Sequence, residues 1–303
     1  MMSISATLVK ELREKTSAGM MDCKKALEET NGDFEAAVEW LRKKGLASAS
    51  KKAGRIAAEG SVYVESNGKT GVIAEINSET DFVARNDGFR DFAKDIGTHL
   101  MTNPTGDIMT QKFAKTGKTV EESLKEVIAT IGENIVIRRT AKYDVQGTGY
   151  VHTYLHGEGK IGVLLEIGAP SATDDVKTFA QDICLHIAAM NPMAISAAEM
   201  PADVVSKEKE ILRAKGLESG KKADMIDKIV EGQIRKFLAE SCLVDQAFVK
   251  NPDIKVSDYM KETGKKAGGD VTIRRFVRYE LGEGIEKKST DFAAEVAAQM
   301  KGH

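Results

Sequence analysis

Two stretches of this chain repeat each other, and that repeat limits the available folds more than any other feature. The run Val72 to Ile76 recurs as Val163 to Ile167, and a helical stripe follows each copy. Phe89, Phe92, Ala93, Ile96 and Leu100 have the spacing of Val176, Phe179, Ala180, Ile183 and Ile187, at a constant offset of 87. His99 and His186 match at the same offset, and each stripe closes near an Asn-Pro pair, Asn103-Pro104 and Asn191-Pro192. Further on, Val120, Leu124, Gly132, Ile137, Arg138, Arg139 and Tyr143 correspond to Val256, Met260, Gly268, Ile273, Arg274, Arg275 and Tyr279, all 136 apart. The second copy has therefore gained 49 residues, which fall between Pro192 and Val256.

Strand patterning opens both copies. Ser61 to Glu65 and Thr70 to Asn77 flank Asn67-Gly68, a hairpin signal because both residues tolerate positive φ. Tyr150 to Leu155 and Ile161 to Gly168 form the second pair, turning through Gly157-Glu158-Gly159. Two ββα-α-β units of this kind predict antiparallel sheets with helices on one face, an α+β architecture.

Ahead of the repeat, Ser5 to Lys15, Asp22 to Glu29 and Asp33 to Lys43 read as three short helices, with Asp33 as N-cap and Gly45 closing the third. So small a core is marginal alone and reads as a docking unit tethered to something larger. Within the gained residues, Ala202 to Lys215 and Lys222 to Glu240 pattern as a helical hairpin, and Thr290 to Met300 as a last helix. The expected partition is a three-helix domain over 1–45, a linker over 46–59, core subdomains over 60–145 and over 146–192 with 250–282, a helical insertion over 193–249, and a C-terminal helical module over 283–303.

Composition narrows the function. The chain has 303 residues, and 44 basic against 46 acidic side chains leave a net charge of -2, so the global basic footprint of a nucleic-acid binder is missing and no direct nucleic-acid binding is expected. Cys23, Cys184 and Cys242 are far apart and form no CxxC pair, which argues against a disulfide scaffold or a zinc site and fits a reducing cytoplasm. No stretch approaches the roughly 20 apolar residues of a membrane helix. The expected chain is neither exported nor embedded.

Candidate chemistry is sparse. Gly157-Glu158-Gly159-Lys160-Ile161-Gly162 satisfies GxGxxG literally, but strands are expected on both sides where a dinucleotide site needs a following helix. His152 and His156 would lie about 13 Å apart on a strand, with no cluster of further ligands, so no metal is expected there. No histidine sits in a recognisable triad, and no enzymatic reading survives; neither cofactor nor metal is expected. Arg138-Arg139 and Arg274-Arg275 look like strand positions with one arginine on each face, in salt-bridged structural roles.

The segment Thr80-Asp81-Phe82-Val83-Ala84-Arg85-Asn86 stands out, because it sets an aromatic beside a carboxylate before the next helix and has no counterpart in the second copy. Phe82 could be a core aromatic with Asp81 a helix-start carboxylate, or the pair could serve a partner. Met20 and Met21 could seal the three-helix core or offer a soft docking surface.

Six segments, in order, resemble the elongation factor Ts family: LVKELREKTSAGMMDCKKALEE, KKAG, TDFVARN, IGENIVIRR, VEGQIRKF and GEGIEKKSTDFAAEVAAQ. The resemblance covers essentially the whole chain. It implies a ubiquitin-associated-like N-terminal domain, a core of two similar subdomains, a dimerisation-type helical insertion through which a homodimer could form, and a C-terminal helical module. The implied function is exchange of guanine nucleotide on elongation factor Tu. The implied mechanism is mechanical: the segment Thr80 to Val83 enters beside the partner's magnesium site, with Asp81 and Phe82 making the disruptive contact that loosens Mg²⁺ and GDP. Further contacts are implied at Arg13, Met20, Met21, Lys52, Ile131, Gly132 and His156. Ser17 stands where the family often has Gly, and Arg85-Asn86 where it often has Lys-Asp; both alter detail at the contact edge. An alternative from another class is a peptide- or ubiquitin-fold-binding adaptor built on the three-helix module.

Overall fold

The computed structural model describes residues 4–16, 18–219 and 223–286. Its centre is a pair of three-stranded antiparallel sheets. The first is ordered β1 (Glu59–Ser66), β2 (Thr70–Ser78), β3 (Ile135–Asp144). The second is ordered β4 (Gly149–His156), β5 (Ile161–Gly168), β8 (Thr272–Glu280). The central strands β2 and β5 are buried along nearly their whole length, since each sheet packs helices on one face and the other sheet on the opposite face. The chain is thus a mixed α+β protein, with sheets in the middle and helices outside.

Between the sheets lie Val62 and Ile73 from one side and Val151, Leu164 and Tyr279 from the other. Close approach needs missing side chains: a Cβ at Gly71 would lie 2.6 Å from Val151, and one at Gly162 would lie 2.5 Å from Val62. These glycines occupy matching positions of the repeat, so each sheet is notched for the other.

On the outer face of the first sheet, α5 (Asp87–Thr102) and α6 (Val120–Ile131) bury Phe89, Phe92, Ile96, Leu100 and Leu124 against Val72, Ala74 and Ile76. On the second, α7 (Asp174–Met190) and α10 (Val256–Ala267) do the same, with Phe179, Ile183, Ile187 and Val256 against Val163, Leu165 and Ile167. Caps follow sequence: Thr119 and Glu122 form a reciprocal capping box on α6, and Gly132, at φ 92, closes that helix in the left-handed region. Even the buried histidines repeat. His99 Nε2 lies 2.8 Å from Gln111 Oε1, and His186 Nε2 lies 2.9 Å from Gln246 Oε1.

The paired arginines correct the strand reading. A bulge opens each ladder, so that Glu75 pairs with Arg139 while Ile76 pairs with Ile137, and Glu166 pairs with Arg275 while Ile167 pairs with Ile273. The extra residue, Arg138 or Arg274, shifts the strand's alternation. Both arginines of each pair therefore reach one buried carboxylate: Arg138 and Arg139 bind Glu75 at 2.9 and 2.5 Å, and Arg274 and Arg275 bind Glu166 at 3.1 and 2.6 Å. The salt-bridged role holds, but the expectation of opposite faces does not.

Three helices precede the sheets: α1 (Ala6–Thr16), α2 (Met20–Glu29) and α3 (Phe34–Lys52). Leu12, Cys23, Ala26, Leu27, Ala37 and Leu41 form their core. Asp33 caps α3 by accepting from the Ala36 N–H at 2.9 Å. Gly45 does not end α3, however. The helix runs on through Ala47, Ser48 and Ala49 to Lys52, because the alanine- and lysine-rich stretch read as a linker has good helix propensity. Gly45 instead permits close packing, since a Cβ there would lie 2.7 Å from Ala129 Cβ on α6. Ala49 is buried in the core of the first sheet, which ties the N-terminal helices to it.

The hairpin in the second copy is α8 (Ala202–Glu218) and α9 (Ala223–Ser241). Ile226, Val230 and Ile234 pack on Val205, Leu212 and Leu238. Its roots lie deeper than expected: Ile195, Leu243 and Phe248, read as part of the insertion, belong to the core of the second sheet. A short pairing of β6 (Ala247–Phe248) with β7 (Asn251–Lys255) leads into α10. The Thr290 to Met300 helix expected at the C-terminus lies outside the described residues. All three cysteines are buried and unpaired. No helix among the described residues is long and apolar enough to cross a membrane.

Candidate functional site

The segment singled out in the sequence forms one helical turn, α4 (Asp81–Ala84), between β2 and α5. Where the repeat passes this point its offset falls from 91 to 87, so the first copy holds four residues more, the length of α4. A single turn gains too few hydrogen bonds to hold itself. Its neighbours hold it. Val83 points inward and is buried with Ile76 and Phe89. Downstream, Asn86 caps α5 by accepting from Gly88 N–H at 2.9 Å. Upstream, the Glu133 carboxylate accepts from Thr80 N–H at 2.9 Å and from Thr80 Oγ1 at 2.7 Å, while Ser78 Oγ donates to Thr80 O at 2.9 Å.

Phe82 is left pointing out. It is 79% exposed, the most exposed of the large apolar side chains among the described residues. The reading of Phe82 as a core aromatic is therefore excluded. Asp81 is exposed beside it and meets Arg85 at 3.9 Å, a solvated contact worth little.

Ile131 and Gly132 end α6, immediately before Glu133, so they sit next to this turn. Asn134 completes the corner: its N–H donates to Glu79 Oε1 at 2.6 Å and its Nδ2 donates to Arg55 O at 2.8 Å. A cleft of about 610 Å³ opens where α2 and α3 meet α6, and Lys52 and Gly132 both line it. Lys15, Arg42, Lys44 and Lys118 add positive charge, partly offset by Asp22 and Glu126. Lys118 and Arg42 share Glu126 at 2.6 and 3.5 Å, and Lys44 meets Asp22 at 2.5 Å.

Met20 and Met21 are the first residues of α2, just past the cleft-lining Gly19, at 59% and 74% exposure. Their exposure decides against a core-sealing role. Arg13 is exposed on α1, and His156 is exposed at the end of β4 in the other sheet, its Nδ1 3.0 Å from Tyr154 OH. Neither is joined to the α4 corner by a hydrogen bond or ion pair among the described residues. The Gly157–Gly159 turn lies between the paired strands β4 and β5, which is not the strand-to-helix setting of a dinucleotide loop.

Residues 79–283 match the family described as elongation factor TS, a span that begins one residue before Thr80. The chain belongs to the elongation factor Ts family. It is 68% identical to elongation factor Ts of Bdellovibrio bacteriovorus, with the whole of both chains covered. Elongation factor Ts of Bartonella tribocorum is 49% identical over 99% of this chain, and that of Syntrophotalea carbinolica 48% over 99%. These full-length relatives extend the elongation factor Ts match over Arg13, Met20, Met21 and Lys52, which precede the matched family span. Arg55 and above all Glu133 are residues of this corner that reading the sequence missed. The only signal was the IGENIVIRR segment, and nothing in its spacing points to a threonine 53 residues earlier.

Proposed function

We propose that this chain, a translation elongation factor by family, is a guanine-nucleotide exchange factor that binds elongation factor Tu and speeds its release of GDP. The observation that carries the reading is Phe82, an apolar side chain left in solvent on a turn anchored through Thr80, Val83 and Asn86. Exposure of so large an apolar group opposes folding economy, and rigid placement lowers the cost of binding. Asp81 and Phe82 enter the partner as one unit beside its magnesium site, and displacement of side chains there weakens Mg²⁺ and phosphate coordination. Thr80 and Val83 hold that unit in place. No acid, base or nucleophile takes part.

The remaining contacts belong to the same proposal. Ile131, Gly132 and Lys52 flank the turn and cleft, Met20 and Met21 supply a deformable apolar edge, and Arg13 and His156 engage outlying parts of the partner. In this reading α1 to α3 form a ubiquitin-associated-like docking domain, the two sheet units form the core, and α8 with α9 form a dimerisation-type insertion. The setting is the cytoplasm. Linkage fixes the cycle: the factor loosens GDP by some coupling free energy, so GDP loosens the factor by the same amount. The adaptor alternative has no support from relatives that match over their full length.

The test is release of a fluorescent GDP analogue from elongation factor Tu, with and without this protein. A release rate indifferent to the protein at saturating concentration would sink the proposal.

A further inference from the structure

We infer that Glu133 is a positioning residue for exchange: its carboxylate holds Thr80 so that the Asp81–Ala84 turn presents Phe82 in one orientation. The inference rests on the exchange reading and adds a residue that touches neither Phe82 nor, in this proposal, the nucleotide site.

The geometry is specific. Both Glu133 oxygens are used on one residue, Oε2 on the Thr80 N–H at 2.9 Å and Oε1 on the Thr80 hydroxyl at 2.7 Å. Thr80 is the residue ahead of α4, in extended backbone at φ -126 and ψ 156, and its own side chain does not cap the turn. Its hydroxyl is committed to Glu133 instead. With Ser78 Oγ on its carbonyl at 2.9 Å, the N–H, the carbonyl and the hydroxyl of Thr80 are all engaged. Thr80 thus enters α4 with its own polar groups committed.

Glu133 is itself well placed to act as a clamp. It follows Gly132, whose left-handed φ of 92 turns the chain out of α6. It precedes Asn134, which is pinned to Glu79 and to the Arg55 carbonyl at 2.6 and 2.8 Å. The clamp therefore joins two elements distant in sequence, the α6 corner and the Phe82 turn. Pressure on Ile131 or Gly132 from a partner is transmitted to Thr80 through one side chain. The second copy keeps the corner glycine, Gly268, but has Gly269 in place of Glu133 and has no α4 to hold.

The experiment compares full-length wild type, Glu133→Ala, Glu133→Gln and Thr80→Ser. Each is assayed for release of a fluorescent GDP analogue from elongation factor Tu across factor concentrations, for amide hydrogen exchange at Thr80 to Arg85, and for thermal melting. Loss of two hydrogen bonds to an ionised acceptor predicts that Glu133→Ala lowers the maximal release rate about tenfold. The half-saturating concentration should move less than about threefold, because the contact surface stays in place. Protection of the Thr80 to Arg85 amides should fall with it. Glu133→Gln, with one acceptor left, should fall between, and Thr80→Ser, which keeps the N–H and hydroxyl that Glu133 accepts from, should keep the amide protection and most of the rate that Glu133→Ala loses.

Lost amide protection with an unchanged maximal rate would overturn the inference, as would a defect confined to half-saturation. A loss of rate that follows a drop in melting temperature across all three variants would make Glu133 merely structural, and Thr80→Ser guards against that confusion. If wild type itself does not speed release, the exchange reading falls, and the positioning role falls with it.

Discussion

The guanidinium of Arg139 lies over the ring of Tyr279, 4.3 Å from its centroid, and Arg275 lies over Tyr143 at 4.1 Å. Each arginine belongs to one sheet and each tyrosine to the other, so the two halves of the repeat grip each other reciprocally. Arg139 also donates to the Glu280 carbonyl at 3.0 Å and Arg275 to the Asp144 carbonyl at 2.9 Å, acceptors again 136 residues apart. Cation–π stacking, a buried carboxylate and a carbonyl bond act together at both ends of one interface.

Removal of the carboxylate at one end tests this arrangement. Glu75 is fully buried and bound by Arg138, Arg139 and the Gly282 N–H. Glu75→Ala should cost about 3 kcal/mol, the low end for an orphaned buried pair, because water can still reach the two arginines. Urea denaturation would read this, and a loss below about 1 kcal/mol would contradict it.

Acid should weaken the same interface. Burial pushes the carboxyls of Glu75 and Glu166 up, but the Gly282 N–H with Arg138 and Arg139, and the Gln146 N–H with Arg275 and Arg274, outweigh it and hold both below 4.5. The unfolded chain takes up these protons near 4.5 and the folded chain does not, so their stabilisation is present above that pH and lost as pH falls through the folded values. His186 acts in a higher window: burial lowers its pKa from 6.5 more than the Gln246 bond raises it, so stability should decline as pH falls below 6.5. Denaturation free energy measured against pH should flatten below pH 4.5 in a Glu75→Gln, Glu166→Gln double variant, and just below 6.5 in His186→Gln.

Phe82→Ala should leave the fold intact while slowing GDP release. At 79% exposure the side chain contributes little to its own core, so stability should change by no more than about 0.5 kcal/mol, against 3 to 5 for a buried phenylalanine. Asp81→Ala should slow release as well, and the double variant should be little worse than either, since the two enter as a unit. Thermal melts beside stopped-flow traces separate the cases, and a large fall in melting temperature would return Phe82 to the core.

Gly45→Ala offers a test in which the sign is informative. In an exposed helix interior this change stabilises by about 1 kcal/mol. Here the new methyl would meet Ala129 Cβ at 2.7 Å, well inside the usual 3.5 to 4.0 Å, so α3 must move off α6. Net destabilisation is expected, with relief from Ala129→Gly, measured by thermal melting of the two variants and their combination.

Local periodicity in the sequence determined the duplicated units, the Asn67-Gly68 hairpin, the helical stripes and the hairpin of α8 and α9, because those patterns depend on residues a few positions apart. It also marked Asp81 and Phe82 as unusual, since the second copy lacks them. Whether Phe82 faced in or out was decided by tertiary structure: Val83 takes the place in the core with Ala84 packed beside it, and Phe82 lies on the opposite side of the turn. Three other features depended on contacts that no local pattern encodes. The bulges at Arg138 and Arg274 arise where two guanidinium groups must satisfy one buried carboxylate. The close approach of α3 to α6 at Gly45 depends on the small Ala129 side chain that faces it. The grip of Glu133 on Thr80 spans 53 residues, and the free energy of that pairing exists only once β2 and α6 have docked on the same core.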